Sequence, residues 1–161
     1  MLTHVPFRWT VQRVLRPERL ICCLEERLMP EKMTVQGLLD TKGTGLYAIG
    51  PDETVFEALK ILSEAKIGAL PVIKDGKLVG IFSERDYARK IILEGKASKD
   101  TPIREIMTTN VSHVGPGQSV KECMTLMTKS RFRHLPVIKD GAVIGVISIG
   151  DVVRAILMSL L

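Results

Sequence analysis

The sequence predicts a mixed α/β (α+β) fold in which two pseudo-symmetric β-α-β-β-α units pack as a tandem pair behind an N-terminal helical extension. The heptapeptide LPVIKDG stands at residues 70–76 and again at 135–141. Residues 50–93 align with 115–158 without a gap, and 16 of the 44 aligned pairs are identical. Two copies at this long period do not suit a solenoid, so we expect each copy to cover the apolar face of the other.

Each copy predicts the same series of elements. A short strand, YAIG in the first copy, ends at Gly50-Pro51. A helix follows over TVFEALKILSEAK, where apolar residues recur at helical spacing and Thr54 with Glu57 has the form of a capping box. LPVI and KLVGIF then predict a hairpin around the Asp-Gly turn, and SERDYARKIIL predicts the final helix. One such unit is small for independent folding, so two are expected to share a core.

The chain divides into four segments. They are an N-terminal extension at 1–33, a first unit at 34–95, a polar linker at 96–102 and a second unit at 103–161. Within the extension we expect a helix around 18–29, where apolar residues form a stripe bounded by prolines. The extension is interpreted as an arm on the module or on a second subunit, or as incidental sequence before a natural start at Met33. A mitochondrial presequence is disfavoured by glutamates among the arginines.

Composition limits the classes of function. The formal charge is +5, with 23 Lys and Arg against 18 Asp and Glu, which suits either an anionic partner or a solvated basic surface. Three cysteines without framework spacing predict free thiols and a reducing cytoplasm. No histidine or cysteine spacing indicates a metal site. Neither a signal core nor a membrane-spanning run is present, so we expect a cytoplasmic protein without a membrane partner.

A Ser–Asp motif opens the final helix of each copy, as GIFSERD at 80–86 and GVISIGD at 145–151. The structural interpretation is a capping box, with Ser at the N-cap and Asp at the third helical position. The functional interpretation uses the same geometry. Ser83 and Ser148 would join the free N–H groups of a helix start in binding phosphate, while Asp86 and Asp151 would accept hydrogen bonds from a ribose cis-diol. Both interpretations stay open, and the two states could alternate.

The doubled LPVIKDG and Ser–Asp motifs resemble the CBS domain, named after cystathionine β-synthase, in its tandem form, the Bateman module. The resemblance covers about 46–93 and 107–158, and stretches such as SERDYARKII resemble stand-alone CBS-pair proteins of bacteria and plant organelles. It implies two clefts between the copies, a disc-like homodimer or a higher homo-oligomer of such pairs, and adenosine ligands. Those ligands are AMP, ADP, ATP, NAD or S-adenosylmethionine.

The resemblance also implies roles for single residues. Asp86 and Asp151 would bind ribose, and Ser83 and Ser148 would bind phosphate. RFRHLP places Arg131, Arg133 and His134 where the family often contacts phosphate, against Lys66, Gly68 and Ala69 in the first copy. One cleft is therefore expected to be more cationic and to prefer more phosphates. The candidates for an adenine pocket are Ile49, Ile67, Ala69, Val114 and Phe132.

The leading hypothesis is a non-catalytic nucleotide sensor that transmits the occupancy of its clefts to an unknown regulated protein by conformational or oligomeric change. His134, Ser148 and Asp151 supply triad residue types, but no nucleophile elbow, P-loop or dinucleotide fingerprint accompanies them, so no enzyme is expected. Two alternatives remain. One is a structural dimerisation module with empty clefts, and the other is nucleic-acid binding through the basic surface, which the scarcity of aromatic residues disfavours.

Overall fold

The structure, a computed structural model, describes residues 33–43 and 45–159. The helix predicted around 18–29 lies outside these residues. The described helices are α1 (Val35–Lys42), α2 (Val55–Ala65), α3 (Glu84–Asp86, continued by a π-helical turn over Tyr87–Ile92), α4 (Val120–Ser130) and α5 (Ile149–Met158). The described strands are β1 (Ala69–Lys74), β2 (Lys77–Ser83), β3 (His134–Lys139) and β4 (Ala142–Ser148), and a 3₁₀ turn covers Ile103–Glu105. None of the described helices is long and apolar enough to span a bilayer.

Each copy contains the antiparallel hairpin that the heptapeptide predicts. Strands β1 and β2 form one two-stranded sheet, and β3 and β4 form the other. The register is the same in both, since Pro71 faces Ile81 in one hairpin and Pro136 faces Val146 in the other. Asp-Gly occupies the turn in each case, and both of its residues have positive φ, which is the conformation of a tight hairpin turn.

The first predicted strand of each copy is reduced to one paired residue. Ile49 forms a parallel bridge to Val72, and Val114 forms the equivalent bridge to Val137. The pairing stops there because Pro51 or Pro116, two residues further on, has no N–H to donate and the chain turns away. The β-α-β-β-α order therefore holds, with a first strand of minimal length.

Capping residues determine where α2 and α4 begin and end. The capping box predicted at Thr54 and Glu57 is present on α2, and Ser119 and Glu122 form the repeat-equivalent capping box on α4. At the other end, Lys66 caps α2 with φ 53° and Arg131 caps α4 with φ 56°. These left-handed residues reverse the chain from helix into strand. As a result, the residues just before β1 and β3 lie between the two copies.

Each copy opens with an entry segment, which is α1 (Val35–Lys42) in the first copy and residues 103–108 in the second. Each entry segment packs on the other copy. Val35 and Leu38 of α1 belong to the core cluster of the second copy, while Ile103 and Ile106 belong to that of the first. Backbone hydrogen bonds support the exchange, for example from the N–H of Val35 to the carbonyl oxygen of Gln118 (2.9 Å). The division at 34–95 and 103–161 stays a prediction, and the packing crosses it at both entry segments.

Candidate functional site

Two cavities lie between the copies, one at each Ser–Asp motif. Cleft A, at the first motif, has a volume of about 380 Å³. Cleft B, at the second, has about 490 Å³. Cleft A is lined by Gly68, Ile81, Ser83, Glu84, Arg85, Asp86, Arg89, Lys90, Thr108, Asn110, Val111, Ser112, Arg131, Phe132, Arg133 and His134. Cleft B is lined by Gln36, Leu39, Asp40, Lys42, Gly43, Gly45, Leu46, Tyr47, Ala65, Lys66, Ile67, Gly68, Ala69, His134, Ile144, Gly145, Val146, Ser148 and Asp151.

In cleft A the Asp86 carboxylate is held by donors from two elements. Its Oδ2 accepts hydrogen bonds from the N–H of Ser83 (3.0 Å) and from the Ser83 hydroxyl (2.6 Å). Its Oδ1 lies 2.9 Å from Nζ of Lys90, one turn along the same helix, and 3.4 Å from the hydroxyl of Thr108. Thr108 comes from the entry segment of the second copy, so the carboxylate lies where the two copies meet.

Cleft B repeats this arrangement with a different lysine. Oδ2 of Asp151 accepts hydrogen bonds from the N–H and the hydroxyl of Ser148, both at 2.8 Å. Nζ of Lys42 lies 2.7 Å from the same oxygen and also donates to the carbonyl oxygen of Val146 (2.9 Å). Lys42 is the last residue of α1, and it reaches cleft B because α1 packs on the second copy. The aspartate side chain is 19% exposed, which leaves it accessible from the cavity.

The capping-box interpretation of both motifs is confirmed by this geometry, since each Ser hydroxyl also accepts the N–H of its Asp. A ligand would meet carboxylates that already have donors. To bind, the ligand's hydroxyl groups would have to replace some of these donors. The two interpretations of the motif therefore concern the same atoms, as the sequence predicts.

The Asp151 carboxyl has a pKa below its ordinary value of 3.8. Burial alone raises the pKa, and the hydrogen bonds from Lys42 and Ser148 outweigh burial and lower it. A lowered folded-state pKa adds stability that is present above the unfolded pKa and is lost as the pH falls through the folded value.

This shift gives a testable pH dependence. Asp151→Asn is expected to melt at a lower temperature than the unchanged chain at pH 6, and this difference is expected to shrink as the pH falls below 3.8. Glu57 and Glu122, whose pKa values are also lowered by their capping partners, are present in both proteins and cancel in the comparison. Melting curves between pH 6 and pH 2 measure the effect. A difference independent of pH would contradict the assignment.

His134 and Gly68 form a wall shared by the two clefts. A Cβ on Gly68 would lie 3.1 Å from Nε2 of His134, so the glycine makes room for the imidazole. Burial lowers the pKa of His134, and the positive charges of Lys42 and Arg133 lower it further against the opposing effect of Asp151. The imidazole is therefore mostly neutral at pH 7, and it separates the clefts as an uncharged ring.

The structure places most predicted site residues in a cleft. Cleft A contains Ser83, Asp86, Arg131, Phe132, Arg133 and His134, and cleft B contains Ile67, Ala69, His134, Ser148 and Asp151. Ile49 and Val114 line neither cleft. They are 3% and 1% exposed and belong to the two cores, because their bridges to the hairpins turn them inward, so we propose no adenine contact for them.

Several lining residues are not predicted from the sequence, among them Asp40, Lys42, Tyr47 and Thr108. All four belong to an entry segment or to the chain just after it. The similar apolar spacing of VQGLLD and IREIMT indicates that the two entry segments are equivalent. It does not indicate that each segment packs on the opposite copy, which is what places these side chains in the clefts.

The comparisons with known proteins agree with this architecture. The family model for the CBS domain matches residues 43–93 and 103–158. The mitochondrial CBS domain-containing protein CBSX3 of Arabidopsis thaliana is 41% identical over an alignment of 164 positions, which covers 89% of this chain and 80% of that protein. The crystal structure of the CBS domain protein NE2398 is 50% identical and superposes with a TM-score of 0.74 over 78% of this chain and 98% of its own.

A third similar protein was solved with a ligand. The crystal structure of CBSX2 in complex with AMP is 30% identical and has a TM-score of 0.64, covering 80% of this chain and 99% of its own. The two family matches coincide with the two copies that the internal repeat defines. The chain therefore belongs to the CBS domain family, as a tandem pair of CBS domains.

Proposed function

We propose that this protein is a non-catalytic regulatory module that binds an adenosine-containing ligand, namely AMP, ADP, ATP or NAD, in the clefts between its two CBS domains. The observation that carries the proposal is the construction of both clefts. Each has a Ser–Asp motif at a helix start on one wall and the residues just before a hairpin of the other copy on the opposite wall. The AMP complex of CBSX2 supports this ligand class.

The ligand would bridge the two copies. In cleft A the ribose hydroxyls would donate to Asp86, and the phosphate would meet the hydroxyl of Ser83, with Arg131 and Arg133 opposite. Arginine suits this place because its guanidinium can bind phosphate with two parallel hydrogen bonds. A ligand that contacts both walls has a different affinity for each relative position of the two copies, and this difference shifts the population between them.

This function is tested by removing both motif carboxylates. Loss of a hydrogen-bonded charge costs about 1.5–3 kcal/mol, which is about 10- to 100-fold in Kd. We therefore expect Asp86→Ala combined with Asp151→Ala to raise the Kd of both clefts for AMP and ATP by at least about tenfold. Isothermal titration calorimetry measures this, beginning with the unchanged chain.

The matched control is Glu57→Ala combined with Glu122→Ala. These residues complete the same kind of capping box on α2 and α4 and line neither cleft. We expect this control to lose similar helix-cap stability and to keep its affinity. If the double aspartate variant bound nucleotide as tightly as the control, the site assignment would be wrong. If the unchanged chain bound no nucleotide, the alternative of a structural module with empty clefts would replace the proposal.

Homodimerisation is part of the proposed function. Ile92 and Leu93, at the end of α3, are 58% and 79% exposed, and their repeat equivalents Leu157 and Met158, at the end of α5, are 58% and 68% exposed. Large apolar groups at the same place in both copies suit a surface that a second copy covers with two-fold symmetry. The stability of a dimer formed here would depend on the angle between the two copies. Ligand binding in the clefts could thus change the dimer, and a partner protein could respond to that change.

Charges placed on this surface are expected to dissociate the dimer. Leu93→Glu combined with Met158→Glu would bury four unpaired carboxylates in the interface, two from each chain, which is costly. Light scattering after size-exclusion chromatography measures the mass, which we expect to fall from two chains to one. Phe56→Glu is the control, because Phe56 is also an exposed apolar residue (42%) but lies on α2. An unchanged mass in the double variant would place the interface elsewhere.

Nucleic-acid binding and the cellular location stay predictions. Nucleic-acid binding through the basic surface would show an affinity that falls steeply with salt and ignores the aspartate changes. The cytoplasmic location is predicted from the cysteines, while the similar protein CBSX3 is named as mitochondrial.

Cys123, which the structure describes, is buried with its thiol free, and burial raises its pKa to about 11. That thiol is therefore protonated and unreactive at neutral pH.

A further inference from the structure

The two clefts differ most on the wall opposite each motif. In cleft A this wall is Arg131 to His134, and in cleft B it is the repeat-equivalent Lys66 to Ala69. Arg133 of cleft A corresponds to Gly68, and His134 corresponds to Ala69. On this wall cleft B thus has one lysine where cleft A has two arginines, and the imidazole of His134 borders both clefts.

The motif side differs in the same direction. Arg85, in the first turn of α3, lines cleft A, and its repeat equivalent on α5 is Gly150. Each motif aspartate is paired with one lysine, Lys90 in cleft A and Lys42 in cleft B. Those two pairs neutralise themselves, so the charges that a ligand meets come from the other lining residues.

The remaining charges give the two clefts a different net charge. Cleft A keeps four arginines, at 85, 89, 131 and 133, against the single carboxylate of Glu84. Cleft B keeps Lys66 against Asp40. Cleft A is therefore strongly positive around its bound lysine–aspartate pair, while cleft B is close to neutral.

The third wall, made by the chain of the opposite entry segment, reinforces the difference. In cleft A it presents the neutral polar side chains of Thr108, Asn110 and Ser112. In cleft B it presents the carboxylate of Asp40 together with Leu46 and Tyr47, which are 40% and 49% exposed. Cleft B is the larger of the two, and Leu46 and Tyr47 contribute apolar and aromatic surface to it.

These differences select for the number of phosphates. Each added phosphate brings negative charge, which four arginines stabilise through bidentate hydrogen bonds and through the potential focused in a cleft. In cleft B the same charge meets one lysine and is repelled by Asp40. Resting on the proposed function, we propose that the clefts take different ligands: cleft A takes an adenine nucleotide with two or three phosphates, and cleft B takes adenosine or its monophosphate. Asp40 is the residue that sets the limit in cleft B.

Single variants of the motif aspartates isolate the clefts for the test. Asp151→Ala leaves only cleft A with an intact Ser–Asp motif, and Asp86→Ala leaves only cleft B with one. Calorimetry with AMP and with ATP, without divalent cations that would mask phosphate charge, measures each cleft separately. We expect ATP to bind about tenfold more tightly than AMP to the Asp151→Ala chain and about tenfold more weakly than AMP to the Asp86→Ala chain.

A charge change in cleft B completes the experiment. In the Asp86→Ala chain, Asp40→Asn is expected to narrow the preference for AMP over ATP by about threefold, because one repulsive charge is removed. Asp100→Asn is the matched control, since Asp100 is exposed in the linker and lines neither cleft. We expect it to leave the preference unchanged.

The possible outcomes separate this inference from the function on which it rests. The division between the clefts would be overturned if both single variants ranked AMP and ATP in the same order. It would also be overturned if the Asp86→Ala chain bound neither nucleotide while the unchanged chain bound one. Either result would leave nucleotide binding itself in place. No binding by the unchanged chain would overturn both proposals. An equal effect of Asp40→Asn and Asp100→Asn would remove Asp40 from its role.

Discussion

Phe82→Ala is expected to lower the free energy of unfolding by about 3–5 kcal/mol, the usual cost of emptying a buried aromatic site. Phe82 lies on β2 with no exposed surface and belongs to the core cluster of the first copy. The cavity would lie beneath the start of α3, because Ser83 follows directly and caps that helix. The change therefore removes support from the motif of cleft A as well as from the core.

Urea denaturation followed by circular dichroism measures this loss. Phe56→Ala is the matched control, since the same side chain is 42% exposed on α2 and its removal is expected to cost far less, within about 1 kcal/mol. Ile147, the repeat equivalent of Phe82, is also fully buried, and Ile147→Ala is expected to cost about 2–5 kcal/mol. Similar losses for Phe56→Ala and Phe82→Ala would contradict the core described here.

Gly145→Val is expected to destabilise the protein by about 1–3 kcal/mol through overpacking and to disturb cleft B. A Cβ at this position would lie 2.7 Å from Cδ2 of Leu39 on α1, so the Leu39 side chain would have to give way, and we expect the bulk of the valine to displace α1 from β4 with it. That movement would separate Nζ of Lys42 from the carboxylate of Asp151, which the structure places 2.7 Å apart. Stability and the geometry of cleft B would therefore change together.

Gly117→Val is the control for this substitution, because a Cβ on Gly117 would have no atom within 4 Å. Denaturation in urea gives the stability of both variants, and the control is expected to stay within about 0.5 kcal/mol of the unchanged chain. The separation of Lys42 from Asp151 is detected by the change of the melting temperature with pH. We expect this pH dependence to weaken in Gly145→Val and to stay unchanged in Gly117→Val. Equal stability of the two variants would show that α1 does not contact β4 closely.

The environments of Phe82 and Gly145 differ in how far they can be predicted from the sequence. Phe82 stands in an apolar strand that the repeat identifies twice, so its burial follows from periodicity. Gly145 is also repeated, as Gly80, and its missing side chain predicts the close approach of a ligand or of partner backbone, whereas the structure places the Leu39 side chain there. Which group approaches is not predictable locally, since Leu39 is more than 100 residues away along the chain.

The same division applies to the candidate site. The Ser–Asp motifs and the residues before the hairpins lie in the clefts, because strand, turn and helix start fix their positions within each copy, and their roles in binding stay predictions. Ile49 and Val114 were expected in an adenine pocket and lie in the cores instead. Whether an apolar side chain faces a cavity or a core depends on the direction of a single bridge, and composition carries no information on it.

The sequence by itself determined the repeat and the family, because the two copies of each motif can be compared letter by letter. It also determined the hairpins and the helix caps, because these depend on residues that are close in the chain. Only the tertiary structure decided that α1 packs on the second copy and that Lys42 and Asp40 therefore lie in cleft B. The physical reason is that both entry segments carry similar apolar stripes, and either copy could bury either stripe. The choice is made by the packing of the whole pair. It places the carboxylate of Asp40 in cleft B, whereas the four arginines that make cleft A positive belong to the motif helix and the hairpin start that the repeat defines.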